Sequence, residues 1–282
     1  MAAPKQAEEP DPSRGLQKTQ SLWLAESPSK RWTERFFLWY SPVWIIWALG
    51  IVVPFQLYER FNELEYLIVG LAAALPCCIL PIFIVGKADR GRPYHERHWV
   101  KANVWIAIFS FIGNYFWTHY FYSLLGATYT FPSWRLNDVR SWHLSALHLS
   151  QITHAIKGRS YPVRLAANTV VVIAFAYFTA FMETFTITHF KYYTFVDKAA
   201  MYKVGSLFYA IYFFVSFPMY FRMDEKVNVQ WAVGQAAIDA FASGMMVTII
   251  LDLWRLCIGP IYQIGDGDRT FGSPEKVSWI NQ

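Results

Sequence analysis

The chain has 282 residues, 55% of them hydrophobic and 19% aromatic against only 16% charged, and its mean hydropathy is positive at +0.21. Such a composition, spread over many separate apolar stretches, excludes an ordinary soluble domain and reads as one polytopic all-α membrane domain. The net charge of +5 stands in short clusters beside apolar segments, Lys30 and Arg31 with Arg35, then Lys87, Arg90, Arg92 and Arg97. That is the pattern of cytoplasmic membrane flanks and argues against a nucleic-acid partner.

Residues 1–35 read as a disordered cytosolic tail. The first 20 are polar and lack the apolar run of a cleaved signal peptide, so targeting falls to the first span. Six apolar stretches follow, at 36–57, 66–86, 99–125, 166–188, 203–221 and 235–261. Each is near the roughly 20 residues that a helix needs to cross hydrocarbon. The multi-spanning domain is thus 36–262, and 263–282 form a short polar tail. Pro42, Pro54, Pro76, Pro81 and Pro218 fall in or at the ends of spans, where neighbouring helices can satisfy freed carbonyls, so they predict kinks and not breaks. Cys77, Cys78 and Cys257 lie in apolar stretches without disulfide or metal-ligand spacing.

Between the third and fourth spans, residues 142–156 carry His143, His148, His154, Ser145, Ser150 and Gln151 over about half a crossing. The distribution of Lys and Arg leaves six passes, or seven with one at 142–156, both open. Six passes put His119 and Glu183 at opposite ends of the bundle. Seven bring His119, Glu183 and Asp252 to one depth.

An ionised side chain at mid-helix in a bilayer costs roughly 2.5–3.5 kcal/mol on insertion scales, so intramembrane acids and histidines are candidates for chemistry. Glu183 has Thr179 at i−4 and Thr186 at i+3, a polar stripe in an apolar helix. Burial there suits a general acid, or equally a carboxyl that hydrogen-bonds a neighbouring helix. His119 has Tyr115 at i−4 and Tyr122 at i+3, with Asn114 and Thr118 beside them; it fits a proton relay, or an interfacial aromatic belt. Asp252 has Arg255 at i+3 and Thr248 at i−4, which predicts an intrahelical ion pair, while Asp239 opens the same span and predicts a helix-interface residue. His95 and His98 are the sole His pair at i, i+3, and there is no phosphate loop, haem motif or nucleophile elbow. With no cofactor or metal expected, proton transfer remains, or no reaction.

Long ordered strings carry a resemblance. They include Gly50-Ile51-Val52-Val53-Pro54, Val85-Gly86-Lys87-Ala88-Asp89-Arg90, Trp99-Val100-Lys101-Ala102-Asn103 and Gly113-Asn114-Tyr115-Phe116-Trp117-Thr118-His119-Tyr120-Phe121. Further on stand Tyr129-Thr130-Phe131-Pro132-Ser133-Trp134, Ser216-Phe217-Pro218-Met219-Tyr220-Phe221-Arg222-Met223-Asp224-Glu225-Lys226 and Leu251-Asp252-Leu253-Trp254-Arg255-Leu256. Over about 30–134 and 170–262 the chain resembles the cycloeucalenol cycloisomerase family of phytosterol synthesis, whereas 137–165 departs from it.

The resemblance implies cofactor-free opening of the 9β,19-cyclopropane ring of cycloeucalenol to obtusifoliol by a multi-pass protein of the endoplasmic reticulum membrane. Its partners would be the sterol substrate and the lipid bilayer. An acid must protonate the cyclopropane, a base must take the proton at C8, and an aromatic lining must tolerate a cation between. The residues suggest Glu183 as acid, His119 as base or relay with Asp252 as a third catalytic candidate, and Asn114, Tyr115, Trp117, Tyr122, Thr179 and Thr186 lining the substrate. Asp89, crowded by Lys87, Arg90 and Arg92, is expected in a loop ion pair. The alternatives are a sterol double-bond isomerase of the emopamil-binding kind and a non-catalytic sterol-binding or scaffold protein.

Overall fold

A computed structural model describes residues 24–52, 54–129, 160–188 and 193–262. Helix α1, Pro28–Ile45, continues as a π-helical stretch, Ile46–Val52. Its start corrects the expected tail: residues 28–35 are helical, and Lys30, Thr33 and Glu34 are buried. Pro28 opens the helix where no backbone N–H is needed, and charges placed so near an apolar stretch are tolerated because other helices supply their partners.

Helix α2, Glu63–Phe83, begins with a capping box in which Asn62 Oδ1 accepts from the Glu65 N–H at 3.0 Å and the Glu65 carboxylate accepts from the Asn62 N–H at 2.7 Å. Pro76 and Pro81 lie inside it without ending it. Each proline strips a partner from the carbonyl four residues back, and a neighbouring helix replaces it. Tyr40 Oη donates to the carbonyls of Ala72 and Ala73 at 3.3 and 2.8 Å, and Asn103 Nδ2 donates to the Cys77 carbonyl at 3.2 Å.

Helix α3, His98–Ile112, passes through a π turn, Gly113–Trp117, into α4, Thr118–Ser123. Strand β1, Ala127–Tyr129, pairs antiparallel with β2, Tyr193–Phe195, in the register Ala127↔Phe195 and Tyr129↔Tyr193. Helix α5 is Tyr161–Thr188, α6 is the short Lys198–Ala200, and a π turn, Met201–Gly205, leads into α7, Ser206–Phe221. Helix α8 is Val233–Cys257. Among the described residues, five stretches are long and apolar enough to cross a membrane: Pro28–Val52, Leu64–Phe83, Leu165–Phe185, Lys198–Phe221 and Val233–Cys257. The helical path from α3 through α4 occupies the stretch expected at 99–125.

The bundle has two unlike ends. At the charged end, Lys30 of α1 reaches the carbonyls of Phe221 and Met223, and Lys101 of α3 reaches the Trp231 carbonyl just before α8. At the other, the hairpin end, lie β1 and β2, and the Ile261 N–H donates to the Leu124 carbonyl at 2.9 Å. Helix α5 ends beside β2, where Thr188 hydrogen-bonds Tyr202, and its 28 residues span about 42 Å. Tyr161 therefore lies at the charged end and Tyr129 at the hairpin end. Residues 142–156 themselves lie outside the described residues.

The centre is α3, α7 and α8, with Trp105, Phe109, Phe208, Phe217, Val247 and Leu251 withdrawn from the surface. Helices α3 and α8 approach closely at Gly244, where a Cβ would stand 2.7 Å from Ile112 Cδ1. Helix α5 lays Ala176 and Ala180 against Phe213 and Phe217 of α7. The outer faces of α1, α2 and α5 expose Trp39, Phe83, Val170 and Phe178, as surfaces that a bilayer covers do.

Candidate active site

The residues expected to handle protons share the hairpin end. His119 stands in α4 beside Tyr120, ring centroids 3.9 Å apart; the Tyr120 hydroxyl donates to Asp252 Oδ1 at 3.3 Å, and Arg255 Nε pairs with the same oxygen at 2.8 Å. The predicted intrahelical ion pair is therefore present. Glu183 is half-buried on α5, next to Thr184, whose hydroxyl accepts from Ser206 at 3.2 Å. Thr179 hydrogen-bonds the Phe175 carbonyl within its own helix, and the Thr186 side chain lies outside the described ones.

The aromatic run is turned differently from the expected stripe. Asn114, Phe116 and His119 are exposed and Tyr115 is 72% exposed, whereas Trp117 and Tyr120 are buried and Tyr122 is half-buried. The π turn at Gly113–Trp117 is the physical reason. Inward positions run Trp105, Phe109 and Ile112, and one extra residue in the turn makes the next inward position Trp117, followed by Tyr120, Phe121 and Leu124. An uninterrupted 3.6-residue period misplaces everything past residue 113. The slip also aligns donors of the helical run from α3 to α4 with acceptors of α8. Trp105 Nε1 donates to Asp239 Oδ2 at 3.0 Å, Trp117 Nε1 to Thr248 Oγ1 at 2.9 Å, and the Tyr120 hydroxyl to Asp252.

A second set of acids, unmarked by the sequence reading except at Asp239 and Asp89, is buried at the charged end. Lys30 pairs with Glu225 at 3.0 Å, Lys101 with Asp224, and Arg222 with Asp239; Lys101 and Asp224 are both almost wholly withdrawn from solvent. Asp239 is thus the interface residue expected of it. Six residues into α1 stands Glu34, 5% exposed, with its Oε2 accepting from the Ala25 N–H at 2.9 Å. The buried Tyr220 lies within electrostatic reach of Glu34 and Cys77. Trp105 meets the Tyr220 ring edge-on at 5.3 Å and stacks on Phe109 at 5.0 Å. Glu34, Tyr220, Trp105 and Asp239 form one layer holding two carboxyls, a phenol and aromatic faces. The signal that could have found it is the closeness of Lys30, Glu34 and Lys101 to apolar runs, where unpaired charge is untenable.

Asp89 departs from expectation. It is buried, yet among the described residues neither carboxylate oxygen has a hydrogen-bond or ion-pair partner, while Lys87 and Arg90 are exposed. The turn Lys87–Asp89 folds Asp89 inward against α1 and leaves those two basic neighbours outside. Among the described residues no group of three or more His, Cys, Asp or Glu is arranged to hold a metal ion.

No family model matches the chain, and no solved structure does. A curated relative does: cycloeucalenol cycloisomerase of Arabidopsis thaliana is 49% identical over 266 residues, covering 90% of this chain and 95% of the relative. Identity at that level over nearly the whole of both chains shows that the chain belongs to the cycloeucalenol cycloisomerase family.

Proposed function

We propose that this protein is a cycloeucalenol cycloisomerase, opening the 9β,19-cyclopropane ring of cycloeucalenol to give obtusifoliol. The observation that carries the reading is the 49% identity over almost the full length of a relative of that name. A multi-pass helical bundle with buried acids and aromatic rings supports it. The reaction is redox-neutral: a proton adds to C19, the C9–C19 bond breaks to leave a methyl group and a cation at C9, and loss of the C8 proton forms the Δ8 double bond.

We assign the proton work to the layer at the charged end. There Glu34 and Asp239 are buried, and ring faces stabilise a developing cation most strongly out of water. Glu34 serves as acid, Asp239, paired with Arg222, as base, and Trp105 with Tyr220 faces the cation. Helices α1 and α2 are the least buried wall of this layer, with 18% and 11% of their spans inside, so a sterol arriving from the bilayer displaces them and not α7 or α8.

The competing assignment is Glu183 as acid with His119 or Asp252 as base. What favours it is that the three share one end. There Asp252 is ion-paired to Arg255, which suits a base, and His119 is exposed. The charged end carries Arg31, Arg35, Lys87, Arg90, Arg92, Arg97, Arg222 and Lys226 against Arg60, Lys198, Lys203 and Arg255 at the other, so the charged end faces the cytosol. The membrane of residence is that of the endoplasmic reticulum. The test is turnover of cycloeucalenol by microsomes containing the protein in heavy water. The expected product is obtusifoliol with one deuterium in its C19 methyl group; unchanged substrate with well-inserted protein would favour a sterol-binding role.

A further inference from the structure

The connection between α2 and α3, residues 84–97, is where the charged end leaves polar atoms over. Asp89 is 1% exposed, and both its carboxylate oxygens lack a partner among the described residues. Two buried donors nearby in sequence are in the same condition, Nη1 of Arg97 and Nε1 of Trp99. All three belong to one tight structure. The Arg92 N–H donates to the Asp89 carbonyl at 3.2 Å, and Arg97 donates through Nε and Nη2 to the Arg92 carbonyl at 3.0 and 2.9 Å. Tyr94 carries the Arg97 guanidinium 4.4 Å above its ring and meets Trp99 edge-on. The turn packs against α1, and the His98 N–H donates to Ser29 Oγ at 3.1 Å.

A buried polar group without a partner costs about 1–3 kcal/mol, more when charged, and native folds rarely keep three in one short stretch of chain. An alcohol has the matching chemistry: its O–H would donate to the Asp89 carboxylate, and its oxygen would accept from Arg97 or Trp99. An anionic lipid headgroup would instead meet the negative charge of Asp89. Asp89 lies at the charged end, in the connection where α2 has ended and α3 has not begun, and its turn packs against α1, the helix that carries Glu34.

We propose that Asp89, with Arg97 and Trp99, anchors the ring hydroxyl of the substrate, the one polar group of a sterol alcohol. The assignment rests on the isomerase reading, and binding and turnover are therefore measured separately. Full-length protein in lipid nanodiscs is loaded with tritiated cycloeucalenol, which is displaced by unlabelled cycloeucalenol or by its 3-O-methyl ether, in the wild type and in Asp89→Ala, with conversion followed in parallel. The wild type should prefer the alcohol by about 100-fold or more, since a site built for a hydroxyl rejects the analogue lacking it. In Asp89→Ala the alcohol should bind roughly tenfold or more weakly and the preference should shrink to about threefold, with a thermal midpoint equal to or above that of the wild type. Asp89→Asn, which keeps an acceptor oxygen, should fall between.

A wild type indifferent to the methyl ether, or an Asp89→Ala variant that keeps the preference, overturns the anchor. So does a lowered midpoint in Asp89→Ala, which would make the carboxylate structural. Alcohol preference that Asp89→Ala abolishes, in a protein that binds but does not convert the sterol, upholds the anchor and removes the isomerase reading.

Discussion

The two ends of the bundle solve the same problem in opposite ways. At the charged end, Lys30, Lys101, Asp224 and Asp239 are drawn inside and paired, Glu225 is partly buried and Arg222 reaches in from the surface, and the segment after α7 is tied to α1, α3 and α8 by these three ion pairs. At the hairpin end, Asp252 and Arg255 pair at the surface, both about half exposed, and His119 faces outward. Charges in low dielectric are coupled strongly to one another and to anything that enters, whereas surface charges are screened. The contrast sets an end whose charges are mostly buried and coupled to one another against an end whose ion pair is screened by solvent.

The comparison can be broken by substitution. The largest effect is expected for Lys101→Ala, which strands Asp224 in the interior. Removing one partner of a buried pair costs about 3–5 kcal/mol, so the variant should lose its folded fraction in detergent, read by thermal unfolding of the purified protein. Next comes Gly244→Val, which forces side-chain atoms into Ile112 and should cost about 1–3 kcal/mol by the same measurement. Tyr40→Phe leaves the proline-freed Ala72 carbonyl without its donor, for a loss of about 1 kcal/mol. Arg255→Ala at the hairpin end should change stability by under about 1 kcal/mol. If Arg255→Ala proved as damaging as Lys101→Ala, the two ends would not differ in the way described.

Much of this was legible in the sequence. Apolar run lengths located the crossings, and Pro42, Pro76, Pro81 and Pro218 are tolerated within helices as expected, Tyr40 and Asn103 satisfying the carbonyls that Pro76 and Pro81 free, whereas Pro54 lies in a turn beyond the helical stretch that ends at Val52. The Asp252–Arg255 pair followed from helical spacing. The facing of the Gly113–Phe121 run did not, because a π turn inserts one residue into the period and composition does not announce it. The start of α1 was placed too late because Lys30 and Glu34 look solvated until Glu225 and Tyr220, far along the chain, are folded against them. Pairings between residues almost 200 apart leave no trace in local pattern, so the acid layer was invisible apart from Asp239. Asp89 was misjudged for the converse reason: basic neighbours in sequence are not neighbours in space when a turn sends them outward.

The most direct test compares Glu34→Gln with Glu183→Gln in nanodiscs at matched insertion, following conversion of cycloeucalenol in heavy water by gas chromatography and mass spectrometry. Loss of an acid from the reaction path should lower kcat by about 100-fold or more. The account predicts that loss for Glu34→Gln with sterol binding retained, any residual product still carrying one deuterium in its C19 methyl group, and near wild-type conversion for Glu183→Gln. Full activity in Glu34→Gln with an inert Glu183→Gln would contradict it and move the chemistry to the hairpin end.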